Sequence, residues 1–207
     1  MLYSPTSFKS RSEADNLEII SAYPFATLIT VDADGMPQLS HCPMVYQTDA
    51  EGAWLEGHVA RANLHHAQWK ENQPVLVVFN GPDAYVSPSW YVNMQNVPTW
   101  NYIVVHVKGV LRKEEEQLAK DHLLKRLIAH LEPSYDKQWR GLSPDYQQRM
   151  LQAIVGFKIK IHHIEGKFKL SQNRLPADAK GIRDAYAAGN EKQRALGVWM
   201  KRVIDGL

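Results

Sequence analysis

Alternation of apolar and polar positions predicts most of the strands in this chain. The run "FATLITV" is rich in β-branched residues, and the turn sequence "DADG" and the segment "MPQLSHCPMVYQ" follow it. We therefore expect a hairpin from about residue 25 to residue 47. The segment "AWLEGHVA" predicts a third strand, and "PVLVVFNG" is apolar enough for a strand buried on both faces. "AYVSPSWY" predicts a short strand broken by Pro88, and "TWNYIVVHVKGVLRKE" predicts one long strand.

Helical spacing appears near both ends of the chain and in its middle. The segment "SEADNLEIISAY" opens on Ser12 and predicts a short helix. "EEEQLAKDHLLKRLIAHLE" and "SPDYQQRMLQAI" predict a helical excursion over about residues 114–152. "VGFKIKIHHIEGKFKLSQNR" then predicts a second hairpin that turns at Glu165 and Gly166. C-terminal helices are expected over about residues 176–204, with a break near Gly189.

The order of these elements favours a mainly β fold with helices, of the α+β class. Strands do not alternate regularly with helices, which disfavours a doubly wound parallel sheet. Many short antiparallel strands are typical of a closed or half-closed barrel. The chain has 207 residues, 44% of them hydrophobic. That is enough for one sizeable core, so we predict a single domain over residues 1–207.

Composition narrows the classes of function. The formal net charge is only +2, which is not typical of a protein that coats nucleic acid. The single cysteine, Cys42, excludes an intrachain disulfide and a cysteine metal cluster, and we expect it to be buried. No apolar run approaches the roughly 20 residues needed to cross a bilayer. The first residues lack the apolar region of a signal peptide. A cytoplasmic protein is therefore expected.

The sequence lacks the fingerprints of several common enzymes. It has no GxGxxG after a strand, no P-loop lysine motif, no HExxH and no GxSxG. His162 and His163 are neighbours, and on a strand they would point to opposite faces, so we predict no metal site. No side chain stands out as an obligate acid or base, and we name no catalytic residue.

A candidate anion site follows the third strand, in the segment "HVARAN". Arg61 comes directly after the strand, between Ala60 and Ala62, whose small side chains leave room. Asn63 is a good first residue for the short helix predicted in "NLHHAQWKEN". An arginine beside a helix N-terminus suits a phosphate group. A salt bridge at the rim of the fold is the alternative interpretation of Arg61.

Aromatic residues concentrate in "YVSPSWY" and "VPTWNY". Clusters of this kind usually lie in a core or at a subunit interface. The other interpretation is a wall for a planar ligand, because Thr99 and Asn101 flank Trp100 and supply polar groups for a heteroaromatic edge. The segment "KFKLSQNR" adds a row of basic and amide side chains, either as ligand contacts or as a solvated basic edge.

Four stretches, taken together, resemble the PaiB-type family of FMN-binding negative transcriptional regulators: "GHVARAN", "VVFNGPDAYVSPSWY", "VPTWNYIVVHVKG" and "KLSQNR". The resemblance extends from "YSPTSF" to the final helices. It implies an FMN-binding split β-barrel like that of pyridoxamine-phosphate-oxidase-type flavoproteins, working as a homodimer with FMN in a groove between two subunits. It also implies repression of genes for sporulation and secreted degradative enzymes, which brings in DNA as a further partner.

The resemblance also implies which residues contact the cofactor. The phosphate end of FMN is expected at His58, Arg61 and Asn63. The flavin or the partner side of the groove is expected to be lined by the remaining candidates: Thr99, Trp100, Asn101, Lys169, Gln172, Asn173 and Arg174. FMN needs a basic group at one end and apolar walls with hydrogen-bond donors at the other, and these segments supply both.

Three functions remain open at this point. The first is a flavin-binding module with weak reductase or oxidase activity on an unspecified substrate. The second is a DNA-binding repressor, for which the basic segment "KQRALGVWMKR" offers phosphate contacts; ordinary docking of this helix through Leu196, Val198, Trp199 and Val203 is the alternative. The third is binding of another planar ligand such as haem, with His41, His58 or His106 as iron ligand.

Overall fold

The computed structural model describes residues 2–93 and 95–206, and six strands in these ranges close into a barrel. The strands are β1 (Phe25–Val31), β2 (Pro37–Asp49), β3 (Gly52–Ala60), β4 (Gln73–Val86), β5 (Thr99–Glu114) and β6 (Ile154–Lys169). Their order around the barrel is β1-β2-β3-β6-β5-β4. β1 pairs antiparallel with β2 and β4, and β3 pairs antiparallel with β2 and β6. The predicted α+β fold with a β-barrel is confirmed.

Helices lie before, within and after this set of strands. They are α1 (Glu13–Ala22), α2 (Gln117–Leu131), α3 (Asp136–Gly141), α4 (Pro144–Gln152), α5 (Pro176–Ala187) and α6 (Glu191–Met200). A short 3-10 helix, Leu64–Gln68, follows β3, and another, Pro88–Trp90, follows β4. The predicted helical excursion and C-terminal helices are confirmed, whereas α3 was not predicted. No helix of the described chain is long and apolar enough to span a membrane.

Three of the helices begin at a side chain that accepts a hydrogen bond from the first turn. Ser12 Oγ accepts a hydrogen bond from the Asp15 amide at 3.1 Å, just before α1. Ser143 caps α4, which starts with a proline. Asn190 caps α6 and forms a reciprocal capping box with Gln193. Each cap supplies an acceptor to an amide that has no partner within the helix.

The hairpin between β1 and β2 is held by one carboxylate. Asp32 accepts hydrogen bonds from the amides of Asp34 and Met36, both at 2.9 Å, and from Gln38 Nε2 at 2.8 Å. The Met36 amide, and then Gln38, lower the pKa of this carboxyl group. Gly35 has a φ of +82°, a conformation that glycine adopts without steric cost. The hairpin predicted from "DADG" is confirmed.

Cys42 lies on the inward side of β2, in the apolar interior. Its neighbours across the β1–β2 ladder include Ala26, which is also buried. Burial raises the pKa of the Cys42 thiol to about 12. The thiol is therefore protonated at neutral pH and is a poor nucleophile. The expectation that this cysteine is buried is confirmed.

β4 differs from its prediction in two ways. It is one continuous strand that includes Tyr85 and Val86, where a separate short strand was expected. Its burial alternates: Val75, Val77 and Phe79 are buried, while the residues between them are less so. The prediction that this strand is buried on both faces is therefore wrong. An unbroken apolar run cannot distinguish a strand covered on both sides from one with an apolar outward face.

The predicted turn at Glu165 and Gly166 is also wrong, because β6 runs straight through both residues. Gly166 does not lie in the left-handed region that a tight turn would need. Its missing side chain leaves room for α1 instead, since a Cβ atom there would lie 2.0 Å from Asn16 Oδ1. Its carbonyl accepts a hydrogen bond from the Ser10 amide at 3.1 Å. Gly166 therefore lets β6 lie close to the N-terminal segment and α1, which are far from it in sequence.

The chain divides into two compact units, each assembled from segments that are far apart in sequence. The central unit contains residues 20–79 and 106–164. The terminal unit contains the described residues of 1–19, 80–105 and 165–207. Strands β4, β5 and β6 run through both units along the chain. The assignment of residues 1–207 to a single domain stays a prediction, and positions 1, 94 and 207 lie outside the described residues.

A buried carboxylate organises the central unit. Glu56, on β3, is 3% exposed and accepts a hydrogen bond from Arg126 Nε of α2 at 2.5 Å. Lys158 Nζ of β6 lies 3.3 Å from its other oxygen. α2 buries Leu123 and Leu127 beside this ion pair. A buried charge needs such partners, so Glu56 fixes where the helix lies on the strands.

Close contact between β5 and β6 predicts a position that cannot tolerate a side chain. A Cβ atom on Gly109 would lie 2.2 Å from the Lys160 carbonyl oxygen and 2.8 Å from Ile159 Cγ2. We expect Gly109→Ala to lower the free energy of unfolding by about 1–3 kcal/mol, because the two strands must move apart. Chemical denaturation monitored by circular dichroism measures this change.

Gly141→Ala is the matched control. No atom lies within 4 Å of a Cβ atom built on Gly141, and its φ is not positive. The same substitution there should stabilise the protein by about 0.4–1 kcal/mol, because alanine restricts the unfolded chain. Equal effects of the two variants would contradict the close packing of β5 on β6.

Candidate functional site

The predicted site residues fall into two groups, one in each unit. His58, Arg61 and Asn63 belong to the central unit. The terminal unit contains the other seven: Thr99, Trp100, Asn101, Lys169, Gln172, Asn173 and Arg174. Each group is built by different strands and has its own chemistry.

Arg61 lies at the end of β3 and binds the C-terminal end of α4. Its Nε donates to the Gln152 carbonyl at 2.8 Å, and its NH2 group donates to the Ile154 carbonyl at 3.1 Å. The same NH2 group donates to Glu115 Oε2 at 2.9 Å, and both side chains of this pair are about half exposed. This hydrogen bond is the main cause of a lowered pKa at Glu115.

Lys120 reaches the same helix end from α2. Its Nζ donates to the Leu151 carbonyl at 2.6 Å, and the residue is 4% exposed. Burial, and then the nearby Arg61, lower the pKa of Lys120, while Glu115 opposes them. Two cations at the C-terminus of α4 satisfy carbonyls that lack partners within the helix, and they complement its dipole.

Asn63 is held at both ends of its carboxamide. Its Oδ1 accepts a hydrogen bond from the His65 amide at 3.0 Å and caps the 3-10 helix Leu64–Gln68. Its Nδ2 donates to Ser40 Oγ at 2.9 Å. Ser40 Oγ lies 2.8 Å from Nδ1 of the buried His65 ring, and Thr30 Oγ1 lies 2.7 Å from its Nε2. The predicted helix start at Asn63 is confirmed.

His58 carries a polar atom that no described group satisfies. It lies on β3 opposite Gly156 of β6, and its Nδ1 is buried without a hydrogen-bond partner. Burial lowers the pKa of His58, so the ring is neutral at pH 7. A buried polar atom without a partner is uncommon in a folded protein, and one explanation is a ligand.

In the terminal unit, Lys169 and two nearby cations, Lys167 and Arg174, form a cluster of three positive charges. Lys169 Nζ donates to Thr99 Oγ1 at 2.5 Å. Burial, and then the positive charges of Lys167 and Arg174, lower the pKa of Lys169. An anion bound here would relieve the mutual repulsion of the three cations.

Aromatic rings support two of these cations. Lys167 Nζ lies 5.1 Å from the ring centre of Tyr3 and 5.4 Å from that of Tyr102. The Arg174 guanidinium lies 4.7 Å from the ring centre of Tyr91, and its NH1 donates to Asn96 Oδ1 at 2.9 Å. Such contacts orient the cations without neutralising them. The Tyr91 hydroxyl is buried and has no hydrogen-bond partner among the described residues.

Trp100 and Asn101 have opposite exposures, because successive residues of a strand face opposite sides. Trp100 is 52% exposed and meets Tyr85 edge to face, with ring centres 6.2 Å apart. Asn101 is fully buried, and its Oδ1 accepts a hydrogen bond from Ser171 Oγ at 2.9 Å. Trp100 is therefore available to a ligand, whereas Asn101 is held within the unit.

Gln172 shapes the turn that follows β6. Its Oε1 accepts from the Leu170 amide at 2.7 Å, and its Nε2 donates to the Phe168 carbonyl at 2.5 Å. Ser171 within this turn has a φ of +61°, which is uncommon for a residue other than glycine. Asn173 is exposed at the tip. The Gln172 carboxamide thus supports the backbone between Lys169 and Arg174.

Sequence reasoning missed several residues of both clusters: Ser40, His65, Tyr91, Glu115 and Lys120. The sequence pattern could have identified Ser40, because alternation on β2 places residue 40 on the same side as the buried Cys42. Glu115 contacts Arg61, and Lys120 contacts the end of α4, so both contacts join segments that are distant in sequence. No local signal in the sequence reports them.

The donor set fits a flavin mononucleotide by its chemistry. FMN has a phosphate with about two negative charges at pH 7 and a flat ring with hydrogen-bonding edges. The central group offers the Arg61 guanidinium, the Asn63 carboxamide and His58 Nδ1, which has no hydrogen-bond partner. The terminal group offers a cluster of cations and an exposed indole. Each group supplies interactions that FMN requires.

The described residues contain no group of three or more His, Cys, Asp or Glu side chains placed to hold a metal. Of the histidines considered for haem, His41 has its Nδ1 3.0 Å from Thr27 Oγ1 and stacks near Phe25.

The C-terminal helix buries its apolar side. Leu196, Trp199 and Met200 are buried, whereas Val198 is exposed, so the expectation that Val198 docks is wrong. Two basic side chains of this region have acidic partners: Lys192 binds Asp83, and Arg202 binds Glu18, both at 2.6 Å. A residue inside the predicted stripe can face solvent when a helix buries only a narrow face.

The six strands with their helices form a split-barrel fold, which solved structures of other proteins share. The barrel resembles that of the flavocytochrome Anf3 from Azotobacter vinelandii, with a TM-score of 0.61, 17% identity, and coverage of 78% of this chain and 69% of that one. It also resembles the FAD and heme binding protein from Mycobacterium smegmatis, with a TM-score of 0.60, 18% identity, and coverage of 78% and 73%. At these identities the likeness shows the fold alone.

Sequence comparison gives the family. The family model described as "Putative FMN-binding domain" matches residues 2–163, and the chain belongs to this family. The protease synthase and sporulation protein PAI 2 of Bacillus subtilis is 36% identical over 187 residues, which cover 87% of both chains. An Aspergillus fumigatus protein is 26% identical over 197 residues, covering 72% of this chain and 76% of its own. The resemblance to the PaiB type is confirmed, and FMN is the cofactor of the family.

Proposed function

We propose that the chain binds FMN as a homodimer and that the end of β3 and the turn after it hold the phosphate through His58, Arg61 and Asn63. One observation carries this proposal. The turn lies inside the range that the family model matches, and its arginine has an acidic partner that is itself exposed. A phosphate group can therefore replace that partner without opening the core.

Replacement of Glu115 by a phosphate is favourable on electrostatic grounds. An exposed salt bridge contributes little, typically below about 1 kcal/mol. A phosphate carries about two charges, and guanidinium groups bind it with two parallel hydrogen bonds. The carbonyls of Gln152 and Ile154 would keep Arg61 in place during this exchange. Asn63 Nδ2 has a second hydrogen beyond the one given to Ser40.

The terminal group is proposed to line the flavin or the partner side of the groove. Thr99, Trp100 and Asn101 lie inside the matched range, whereas the other four candidates lie beyond residue 163: Lys169, Gln172, Asn173 and Arg174. Trp100 offers an exposed ring face, and Lys169 and Arg174 offer positive charge to an electron-rich edge. Asn101 and Gln172 would act by holding the backbone around these groups.

The homodimer is supported by an apolar outward face on β1 and β2. Cross-strand pairs place Phe25 beside Pro43, Ile29 beside Leu39, and Val31 beside Pro37, all on the side opposite the core. Phe25 and Leu39 are 65% and 53% exposed. The polar pair Thr27 and His41 lies between the first two of these pairs on the same side. Exposed apolar surface with a polar part of this kind commonly marks an interface, and a second copy of the chain is the proposed occupant.

A regulatory role is proposed from the relative alone. The name of the Bacillus subtilis protein connects it with protease synthesis and sporulation. We infer for this chain a role as a negative transcriptional regulator of the PaiB type. Flavin-dependent reductase or oxidase activity is the alternative role.

The phosphate proposal predicts opposite effects of two substitutions. Arg61→Ala should weaken FMN binding by about 1.5–3 kcal/mol, the size of one charged hydrogen bond. Glu115→Gln should tighten it by up to about 1 kcal/mol, because the competing carboxylate is gone. Titration of apoprotein with FMN, followed by flavin fluorescence, gives both dissociation constants.

Arg140→Ala is the control for the phosphate test. Arg140 forms an exposed ion pair with Asp136 inside α3 and should leave the dissociation constant unchanged. An unaltered FMN affinity in Arg61→Ala would remove this arginine from the site. Weaker binding in Glu115→Gln would show that the carboxylate helps the ligand and does not compete with it.

The dimer proposal predicts that charge on the apolar face separates the subunits. Leu39→Lys should shift the mass found by analytical ultracentrifugation at micromolar concentration from two chains to one, because two lysines would be buried without partners. Val198→Lys, at another exposed apolar residue, should leave the mass unchanged. A single-chain mass for the unmodified protein would reject the dimer.

The regulatory proposal predicts direct and salt-sensitive DNA binding. Gel-shift titrations with DNA from upstream of genes for secreted proteases should show a complex whose affinity falls as salt rises, because phosphate contacts release counterions. Lys201→Ala, at an exposed basic residue, is expected to reduce that salt dependence. Absence of a complex on every upstream fragment would favour the flavoenzyme role.

A further inference from the structure

The polar groups around His65 form a closed hydrogen-bonded ring in the central unit. The ring runs from Asn63 Nδ2 to Ser40 Oγ, on to His65 Nδ1, and returns from the His65 amide to Asn63 Oδ1. Thr30 binds the remaining nitrogen, Nε2. Thr30, Ser40 and His65 are 2%, 4% and 7% exposed. Several segments of the chain thus converge on one imidazole, shielded from water.

The backbone amide of His65 fixes the orientation of the Asn63 carboxamide in this ring. The His65 amide can only donate, so the Asn63 oxygen must face it and the Asn63 NH2 group must face Ser40. Ser40 Oγ accepts from that NH2 group and keeps one proton and a second acceptor site, so the direction of its bond with His65 Nδ1 is set by the tautomer of the ring. In the Nε2–H tautomer, Ser40 donates to Nδ1 and Nε2–H donates to Thr30 Oγ1.

The surroundings keep the imidazole in this neutral form. Burial, and then the positive charge of a protonated His66, lower the pKa of His65. Trp69 packs its indole against the His65 ring edge to face, with ring centres 5.4 Å apart. A protonated imidazole would place a second N–H against Ser40 and reverse that hydrogen bond.

We propose that His65 is a positioning residue for ligand binding: as the Nε2–H tautomer it orients the Ser40 hydroxyl, which holds the Asn63 carboxamide so that its second N–H is left for an anionic ligand. This inference rests on the proposed phosphate site and adds the residues that act behind Asn63. The sequence does not reveal this role of His65, because it shows two adjacent histidines with nothing to distinguish them. In the structure they differ: His66 lies outside the ring, and its Nε2 lies 2.9 Å from the Arg61 carbonyl oxygen.

Two substitutions at residue 65 separate positioning from general packing. His65→Leu removes the acceptor for Ser40 and should raise the FMN dissociation constant about tenfold, the effect of one lost hydrogen bond. His65→Asn places an acceptor oxygen near the position of Nδ1 and should restore binding to within about threefold of the original protein. Equal weakening by both variants would overturn the proposal, because loss of packing would then explain it.

A double-mutant cycle tests whether His65 acts through Asn63. Asn63→Ala should weaken FMN binding, and adding His65→Leu to it should change the dissociation constant by less than about twofold. Full additivity would overturn the positioning role. If Asn63→Ala alone leaves the affinity unchanged, the phosphate site itself is wrongly placed; if it weakens binding while His65→Leu does not, only the role of His65 fails.

The tautomer supplies a test that needs no FMN. Nitrogen-15 NMR of the histidine side chains in the intact protein should show His65 with an unprotonated Nδ1 and a protonated Nε2 at neutral pH. Finding the proton on Nδ1 would overturn the proposed ring, whatever the variants do. His66→Ala identifies the neighbouring signal and leaves the side chains of the ring in place.

Discussion

The carbonyl groups at the end of α4 impose the constraint on which the site region depends. The last carbonyls of a helix have no partners within the helix and need donors from elsewhere. Here they receive donors from Arg61, which follows β3, and from Lys120 on α2. Two distant segments are therefore tied to one helix end by charge. The arginine proposed to meet the cofactor is also part of what holds the helical excursion on the strands.

This arrangement explains how a structural arginine can also bind a ligand. Its contacts with Gln152 and Ile154 fix the guanidinium, and the exposed contact with Glu115 is the one that can be exchanged. Asn63 follows the same principle. Its Oδ1 caps the 3-10 helix, and its Nδ2 uses one hydrogen for Ser40 and has a second one for a ligand. Side chains already fixed in the apoprotein lose little entropy when a ligand arrives.

Local patterns in the sequence were sufficient for much of the fold. β5 was predicted over its full length because its alternation is long and ends at an acidic run. The helix start at Ser143 follows from capping chemistry within four residues. The prediction failed at Gly166, where a glycine needed for contact with Asn16 has the same appearance as a turn glycine. Candidate site residues were chosen by type. Type alone could not reveal that Asn101 is buried or that Gln172 folds back on its own turn.

Cys42 has a practical consequence for following the motions of this protein. It is the only thiol in the chain, it faces inward, and burial keeps it protonated. A thiol reagent can reach it only when neighbouring strands separate. With reagent in excess, the labelling rate equals the rate at which the strands separate. Labelling of Cys42 therefore measures local opening of the barrel in the unmodified protein.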